Sequence, residues 1–416
     1  MYVTVRDPVP GVGVADPALR QRVARTVVLL GVVSLLTDVS SEMVNSVLPR
    51  YLTYQVGLSL VAYGFIDGLY QGVSAAVRIA GGAAADRGNH PKWVAMVGYG
   101  VSAVSRLAML PAQAFASITA VVTVDRLGKG LRTAPRDALI TEASEPASLG
   151  RSFGVHRMLD TVGAALGPIV AFLVLWAVPN GYSSVFVVSF AFAAVGFAVL
   201  ALLVPDRRTA TPGARVRMRD LARQITAPAL RRPMVAAGVL GLVTIGDGFL
   251  YLSLAVRDGL AALWFPLLYV GTNVAYLVLA IPCGRLADRV GRARVFLAGH
   301  VALLLVYLVA GGPLGGVAGT LLVLALLGTF YAATDGVLAA IAGGLSSEQT
   351  RGTGIAAAQT MVAVARFAAS VIFGAVWMVV GRGDALLLAG LALGVAMAAS
   401  IWLLWPSVRP GAGSVR

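Results

Sequence analysis

Long apolar stretches, separated by short polar segments, run along almost the whole chain. A membrane-spanning helix needs about 20 predominantly apolar residues, and twelve stretches meet that length. The predicted helices cover residues 26–49, 58–84, 92–112, 115–138, 152–178, 183–204, 233–256, 261–284, 293–312, 317–343, 353–380 and 384–405. Turn-forming groups such as Pro179-Asn180-Gly181 separate most of them. The pattern predicts an all-α membrane protein with twelve transmembrane helices.

Composition and charge support a membrane protein and argue against nucleic-acid binding. The chain is 58% hydrophobic and 12% charged, whereas soluble domains carry roughly 25% charged residues. Its net charge of +14 is spread over alternate polar segments instead of one patch, as expected of a membrane protein. The only cysteine, Cys283, lies in an apolar stretch, so no intramolecular disulfide can form.

The basic residues also predict an orientation. One set of alternate polar segments contains nearly all of the Lys and Arg, whereas the opposite set has only Arg50, Arg257 and Arg382. Since cytoplasmic loops carry the excess of positive charge, both termini and the central linker are expected in the cytoplasm. Only Lys92 and Lys129 are lysines in a chain rich in Ala, Gly and Val. This composition favours a bacterial protein, located in the inner membrane.

A loop motif occurs twice, at the same ordinal place in each half of the chain. The first copy runs from Gly82 to Arg87 after the second helix, and the second from Gly284 to Arg292 after the eighth. The repeat predicts two six-helix bundles related by a pseudo-two-fold axis. The expected parts are an N-terminal tail 1–25, a bundle 26–205, a basic linker 206–232, a second bundle 233–405 and a C-terminal tail 406–416.

These motifs resemble those of the major facilitator superfamily over essentially the whole chain. The second loop copy fits that family's G-x-L-A-D-R-x-G-R pattern, and the first departs from it at Asn89 and His90. The resemblance implies a latch that holds one membrane face shut, with a static topology anchor as the alternative. The implied gate residues are Gly82, Asp86, Arg87, Gly284, Asp288, Arg289 and Arg292.

Two further helices carry parts of the resemblance. In the fourth helix, the run from Arg126 to Gly130 looks like the R-x-x-x-G motif associated with proton coupling. The fifth helix matches the spacing of the family's antiporter motif, although Ala171 and Phe172 replace its final glycines. Small residues four apart allow close helix approach, and proline bends a helix. The matching residues are Gly154, Gly163, Gly167 and Pro168.

Ionisable residues near helix centres are the main functional signal. Each charge at the bilayer centre costs about 2.5–3.5 kcal/mol, so Asp38, Glu42, Asp67, Asp247 and Asp335 together would cost on the order of 12–17 kcal/mol in lipid. They are therefore expected to face a wet cavity, to pair with arginine or to be protonated. Spacings of three, four and seven place Asp38, Ser41, Glu42 and Asn45 on one face of the first helix. Further candidates are Arg106, Asp125, Arg126, His156, Arg157, Asp160 and Arg366.

The resemblance implies a central cavity between the two bundles, lined by the first, fourth, seventh and tenth helices. Asp38, Glu42, Arg126, Asp247 and Asp335 are therefore the predicted cavity and proton-coupling residues. Arg126 is expected to hold Asp38 or Glu42, which would carry the proton, unless the pair is a permanent packing contact. Arg157 and Asp160 are expected in a gate network near the cytoplasmic end. Asp67, Arg106 and Arg366 are secondary candidates.

The predicted function is secondary active transport, with proton-coupled efflux (antiport) of a small organic compound as the leading hypothesis. The alternatives are uptake by proton symport, export of a divalent metal, and a non-transporting receptor or assembly factor. The sequence has no nucleotide-binding G-x-x-x-x-G-K-[ST] loop and no hydrolase motif, so no enzyme activity is expected. No cofactor or resident metal is expected either. The partners would be a small-molecule substrate, protons and the lipid bilayer, for a monomeric protein that binds no nucleic acid.

Overall fold

The computed structural model describes residues 24–70, 72, 91–145, 148–206, 228–345 and 351–408, and these are helical almost throughout. A π-helical turn, Tyr51–Gln55, follows the first helix. The helices of the first half are α1 (Arg25–Arg50), α2 (Leu60–Tyr70), α3 (Pro91–Ala108), α4 (Phe115–Glu142), α5 (Leu149–Ala177) and α6 (Tyr182–Leu203).

The second half has seven helices, because its first span is made of two. A short 3₁₀ turn, Ala262–Trp264, precedes the third of them. These helices are α7 (Pro228–Leu242), α8 (Asp247–Asp258), α9 (Phe265–Val290), α10 (Arg292–Gly311), α11 (Gly316–Leu345), α12 (Arg351–Val380) and α13 (Arg382–Val408).

Within the described ranges, nine helical stretches are long and apolar enough to cross a membrane. The described residues of α2 form a shorter apolar helix, and α4 carries too many charges to count among the nine. The all-helical membrane fold that the sequence predicts is confirmed. Gly82, Asp86 and Arg87 lie outside the described residues, as do most of the linker and both tails.

Helix pairing repeats between the two halves. In the first half, α1 packs against α5 and α6, while α3 packs against α4 and α6. In the second half, α7 packs against α12 and α13, while α10 packs against α11 and α13. The same neighbours therefore recur at the same ordinal places, as two bundles related by a pseudo-two-fold axis require.

The prediction of one continuous seventh helix over 233–256 was wrong. The chain leaves the helix at Val243 and re-enters it at Asp247, with extended backbone at Gly246 (φ −63°, ψ 145°). A Cβ at residue 246 would overlap the Asp67 carboxylate, so a larger residue does not fit there. Tyr307 of α10 supplies the hydrogen bonds that the interrupted helix lacks. Its Oη accepts from Ile245 N at 2.8 Å and donates to Val243 O at 2.9 Å.

The two halves meet at one membrane face. We call this face the distal side; it holds the ends of α1 and α8, and the opposite linker side holds the end of α6 and the start of α7. At the distal side, Phe172 of α5 packs on Trp264 with ring centroids 5.5 Å apart. Arg50 Nη1 donates to Leu260 O at 2.9 Å. These contacts between the halves close the distal side.

The bridged helix break generates a stability prediction. Replacing Tyr307 with Phe removes the hydroxyl and leaves the Ile245 N–H and the Val243 carbonyl without their partner. We expect a loss of about 1–3 kcal/mol, the usual penalty for unpaired buried polar groups. Thermal unfolding of the detergent-solubilised protein should show a lower Tm. The control is Tyr54→Phe at a ring that is 57% exposed, and an equal Tm for the two variants would contradict the prediction.

Candidate substrate and proton site

A buried ion cluster lies at the centre of the first half. Arg106 of α3 pairs with Asp125 of α4, with Nη2 and Oδ1 3.0 Å apart. The neighbouring Arg126 also pairs with Asp125, and its Nε donates to Oδ2 at 2.9 Å. Ser105 Oγ donates to the same carboxylate at 3.2 Å. One carboxylate thus serves two guanidinium groups, in side chains that are at most 5% exposed.

The expected partner of Arg126 was therefore wrong. Sequence reasoning assigned it Asp38 or Glu42, but the ion pair is made with Asp125, the adjacent residue on the same helix. Arg126 also lies over the Tyr70 ring of α2, with Cζ 3.6 Å from the ring centroid. Arg126 thus joins α2 to α4, and its interaction with Glu42 of α1 is a longer-range electrostatic one.

The polar face of α1 is present as predicted, and its residues have different neighbours. Arg106 donates to Ser41 Oγ at 3.1 Å, which joins α1 to the ion cluster. Glu42 is half-buried and accepts from Asn45 Nδ2 at 2.9 Å. Asp38 Oδ1 lies 4.0 Å from Arg132 Nη2, and its carboxyl group is within hydrogen-bond reach of Asp160 on α5. The structure thus brings Asp38 and Asp160 together, whereas the sequence assigned them separate roles.

A row of cations on α4 extends from the ion cluster toward the linker side. Lys129, Arg132 and Arg136 follow Arg126 at spacings that keep them on neighbouring faces of the helix. Arg132 is 4% exposed and lies over the Tyr99 ring at 4.5 Å. Sequence reasoning missed Lys129 and Arg132 as site residues, although their spacing from Arg126 was a readable signal.

The last cation of the row connects α4 to α5. Arg136 Nη2 pairs with Asp137 at 3.1 Å, and its Nη1 lies 3.9 Å from Asp160 Oδ1. The same Nη1 donates to Ser34 Oγ at 3.3 Å, and Ser34 Oγ also bonds His156 Nε2 at 3.0 Å. Asp160 therefore lies between Arg136 and Asp38, while Arg157 is exposed.

The second half has its own polar group around Tyr331 of α11. Tyr331 Oη donates to Asp247 Oδ1 at 2.5 Å, and the Arg366 guanidinium lies 6.0 Å from its ring centroid. Asp335 lies one turn further along α11 and is exposed. Asp247, Asp335 and Arg366, selected separately from the sequence, thus surround one tyrosine. Because they come from α8, α11 and α12, only the tertiary structure could group them.

Asp67 bridges the halves. It belongs to α2 of the first half, and it accepts a hydrogen bond at 2.6 Å from Ser370 of α12 in the second half. Its carboxylate also lies against Gly246 at the break between α7 and α8. Asp67 also interacts electrostatically with Arg366 and Asp247, so it connects the contact between the halves to the polar group around Tyr331.

The described histidines are held by structural contacts. His156 is bonded to Ser34, and His300 Nδ1 lies 2.8 Å from Phe296 O. Among the residues that the structure describes, no group of three His, Cys, Asp or Glu side chains could hold a metal ion.

The fifth-helix glycines face α1, except for the first. A Cβ at residue 163 would meet Leu35 Cα at 2.9 Å, and one at residue 167 would meet Glu42 Cβ at 2.7 Å. Gly154 has nothing within 4 Å of its Cβ position. Pro168 is buried within α5. Gly163 and Gly167 therefore allow α5 to lie directly against the acidic face of α1.

The second loop motif forms the junction of α9 and α10 on the linker side. Gly291 has a φ of 104°, which ends α9 and lets α10 begin at Arg292. Asp288 Oδ1 lies 3.6 Å from Arg292 Nη2, and both side chains are largely exposed (71% and 48%). Gly284 and Arg289 lie on the last turns of α9. The pair is local to its own half.

The paired bundles, the charged inner faces and the closure at one membrane face define a membrane transporter fold. The model of the Major Facilitator Superfamily matches residues 30–369. The chain belongs to the Major Facilitator Superfamily, a family of transporters and not of enzymes.

Individual relatives agree with this assignment. An uncharacterised MFS-type transporter of Methanocaldococcus jannaschii is 29% identical over 374 residues, covering 86% of this chain and 90% of the relative. The nucleoside transporter NupG superposes with a TM-score of 0.76 at 13% identity, covering 91% of this chain and 99% of that one. A POT family transporter in complex with 5-aminolevulinic acid superposes with a TM-score of 0.77 at 12% identity, covering 92% and 96%. These structures show the shared fold.

The α1–α5 contact yields a second prediction. Gly167→Leu places a side chain where Glu42 and the α1 backbone already lie, and such overpacking costs about 1–3 kcal/mol. We expect a folded protein whose transport rate is reduced by about tenfold, since about 1.4 kcal/mol added to the activation free energy of transport slows it tenfold. The measurement is flux in proteoliposomes, after size-exclusion chromatography has shown a monodisperse protein.

The matched control is Gly394→Leu on α13, because a Cβ at residue 394 has nothing within 4 Å. It should transport like the wild type. If a monodisperse Gly167→Leu protein also transports at the wild-type rate, the glycine face is not a functional contact.

Proposed function

We propose that this chain is a proton-coupled secondary active transporter that moves a small organic solute by alternating access. One observation carries the proposal: Asp38 of α1 lies between a row of cations on α4 and the acidic Asp160 on α5, and Glu42 lies one turn further along α1, near Lys129 and against Gly167. Groups of this kind, held apart from lipid, can bind and release a proton as their neighbours change. The bundles 26–205 and 233–405 are the proposed moving bodies.

The proposed proton carrier is Asp38, and Glu42 is the second candidate. Asp38 has the Arg132 guanidinium 4.0 Å away and the Asp160 carboxyl group within hydrogen-bond reach. Two adjacent carboxylates in a site of low dielectric repel each other, so one of them readily holds a proton. Arg126 acts indirectly in this proposal, because its ion pair with Asp125 positions α4 and hence the cation row.

Alternating access would require the distal contacts to break. The hydrogen bond from Ser370 to Asp67 and that from Arg50 to Leu260 O cross between the halves. When the distal side opens, the linker side would close, and the exposed Asp288 and Arg292 are placed there to hold it shut. The linker side is proposed to be the cytoplasmic side, with both termini on it, from the distribution of Lys and Arg. A bacterial inner membrane is the proposed location.

The direction of coupling has two candidates. The resemblance of the fifth helix to the antiporter motif supports efflux by antiport, and Gly163 and Gly167 do pack closely against α1. Uptake by symport is favoured by a different observation. Within the described part of the chain, Arg132 Nη1 is buried without a hydrogen-bond partner, as expected of a site that takes up a negatively charged group.

The experiment is transport by the purified protein in proteoliposomes with an imposed pH gradient. The probe is a pool of labelled nucleosides, dipeptides and 5-aminolevulinic acid, after the structurally similar transporters. Accumulation only when the outside is acidic indicates symport. Accumulation only when the inside is acidic indicates antiport, because the leaving proton then drives entry. If accumulation is equal with and without the gradient, proton coupling is wrong.

The α1 carboxylates give a third prediction. Asp38→Asn and Glu42→Gln each remove a titratable group while keeping its size. If these groups carry the proton, the variants should lose gradient-driven accumulation and retain downhill exchange. We expect the larger effect at Asp38, since that carboxylate has both a cation and a carboxyl neighbour.

The matched control is Asp384→Asn, at an exposed aspartate in the first turn of α13. It should accumulate the probe like the wild type. Full gradient-driven accumulation by Asp38→Asn, Glu42→Gln and their double variant would make both carboxylates structural and move the search to Asp247 or Asp335.

A further inference from the structure

Two cations of the α4 row carry N–H donors that no acceptor among the described residues satisfies. Among the described residues, Lys129 Nζ has no carboxylate oxygen within 4.0 Å and no hydrogen-bond acceptor, and Arg132 Nη1 is buried without an acceptor. The nearest carboxylate to Arg132 is Asp38, at 4.0 Å. An unpaired buried donor is costly, so Arg132 is positioned for an acceptor that the described residues do not supply, and the partly exposed Lys129 lies one turn away in the same row.

The charge of the surrounding cluster decides when such an acceptor can bind. Around Asp38 are four cations and four carboxylates, counting Asp38 itself. The cluster is neutral when every carboxylate is ionised. Once the Asp38–Asp160 pair takes up one proton, one positive charge is left over. The groups that face the pair are Lys129, Arg132, Arg136 and Asp137 of α4, Glu42 of α1, and His156 and Arg157 of α5.

We propose that Lys129 and Arg132 bind an acid group of the transported compound, and that a proton on the Asp38–Asp160 pair binds together with it. The substrate class is a small organic anion, such as a carboxylate or a sulfonate. This inference rests on the proposed function and narrows it. Because one cluster binds proton and anion cooperatively, both move in the same direction, which is symport.

The test uses the purified full-length protein in detergent, at constant ionic strength, with three probes of similar size. The anions are benzoate and p-toluenesulfonate, and the cation is benzyltrimethylammonium. All three keep their charge between pH 6 and pH 8, so a pH effect on binding reports the protein. Ligand-induced shifts in Tm give apparent affinities.

The expected result is binding of at least one anion, with no binding of the cation. If one proton accompanies each anion, affinity rises by up to about tenfold per pH unit on acidification. Lys129→Gln should weaken anion binding by about tenfold or more, since it removes a charge that acts at low dielectric. The control is Lys92→Gln, the other lysine of the chain, whose Nζ donates to Ala201 O at 2.9 Å.

Asp160→Asn is expected to increase anion binding at pH 8, an effect that a misfolded protein would not produce. Without the second carboxylate the cluster keeps its extra positive charge, so the anion should bind at pH 8 as tightly as at pH 6. The inference is overturned if neither anion binds, if the cation binds more tightly than both anions, if Lys129→Gln binds like Lys92→Gln, or if Asp160→Asn keeps the wild-type pH slope.

The outcomes also separate the inference from the proposed function. Anion binding with the expected pH slope, but no accumulation driven by a pH gradient, would keep the site and reject proton-coupled transport. Accumulation driven by the gradient, without anion binding that depends on Lys129, would keep the transport function and reject the site.

Discussion

The architecture of the first half depends on keeping charge out of contact with lipid. Arg106, Asp125 and Arg126 form a compact ion cluster in which one carboxylate is shared by two guanidinium groups. Each of these charges would be costly alone in the membrane, and removing one partner would leave the others uncompensated. The cluster therefore joins α3 to α4. Its hydrogen bond to Ser41 and its cation–π contact with Tyr70 extend the connection to α1 and α2.

Because the ion cluster fixes the position of α4, it also fixes where the remaining cations of α4 lie relative to α1 and α5. The glycines of α5 let it approach α1 closely enough to bring Asp160 beside Asp38. The result is a charged cluster shared by three helices of one half. Those helices pack tightly together, so in the proposed mechanism the cluster moves as a unit and carries its bound proton with it.

The second half solves the same physical problem differently. Its carboxylate Asp247 accepts a hydrogen bond from Tyr331, and Asp67 of the first half accepts one from Ser370 of the second half; both donors are neutral. The bond between Asp67 and Ser370 crosses between the halves, so it belongs to the closed distal face. Charge pairing thus holds the first half together internally, and neutral hydrogen bonds contribute to the contact between the halves, which the proposed alternating access requires to be reversible.

The sequence by itself determined the class of fold, the two-fold repeat and the family. Helix length, the alternation of basic loops and the loop motifs are local properties, and the bilayer imposes them on each segment separately. It also identified Asp38, Glu42 and Asp160 as membrane-embedded groups. The partners of these groups were decided only by tertiary structure: Arg126 pairs with Asp125, and Asp38 faces Arg132 and Asp160.

The break between α7 and α8 was likewise decided by tertiary contacts. The local pattern predicted a continuous helix, and the hydroxyl of Tyr307 from a distant segment satisfies the interrupted backbone. The physical reason is the same in each case. A charge or a free backbone group in a membrane must find a partner, but its own sequence neighbourhood does not specify which of several helices will supply one.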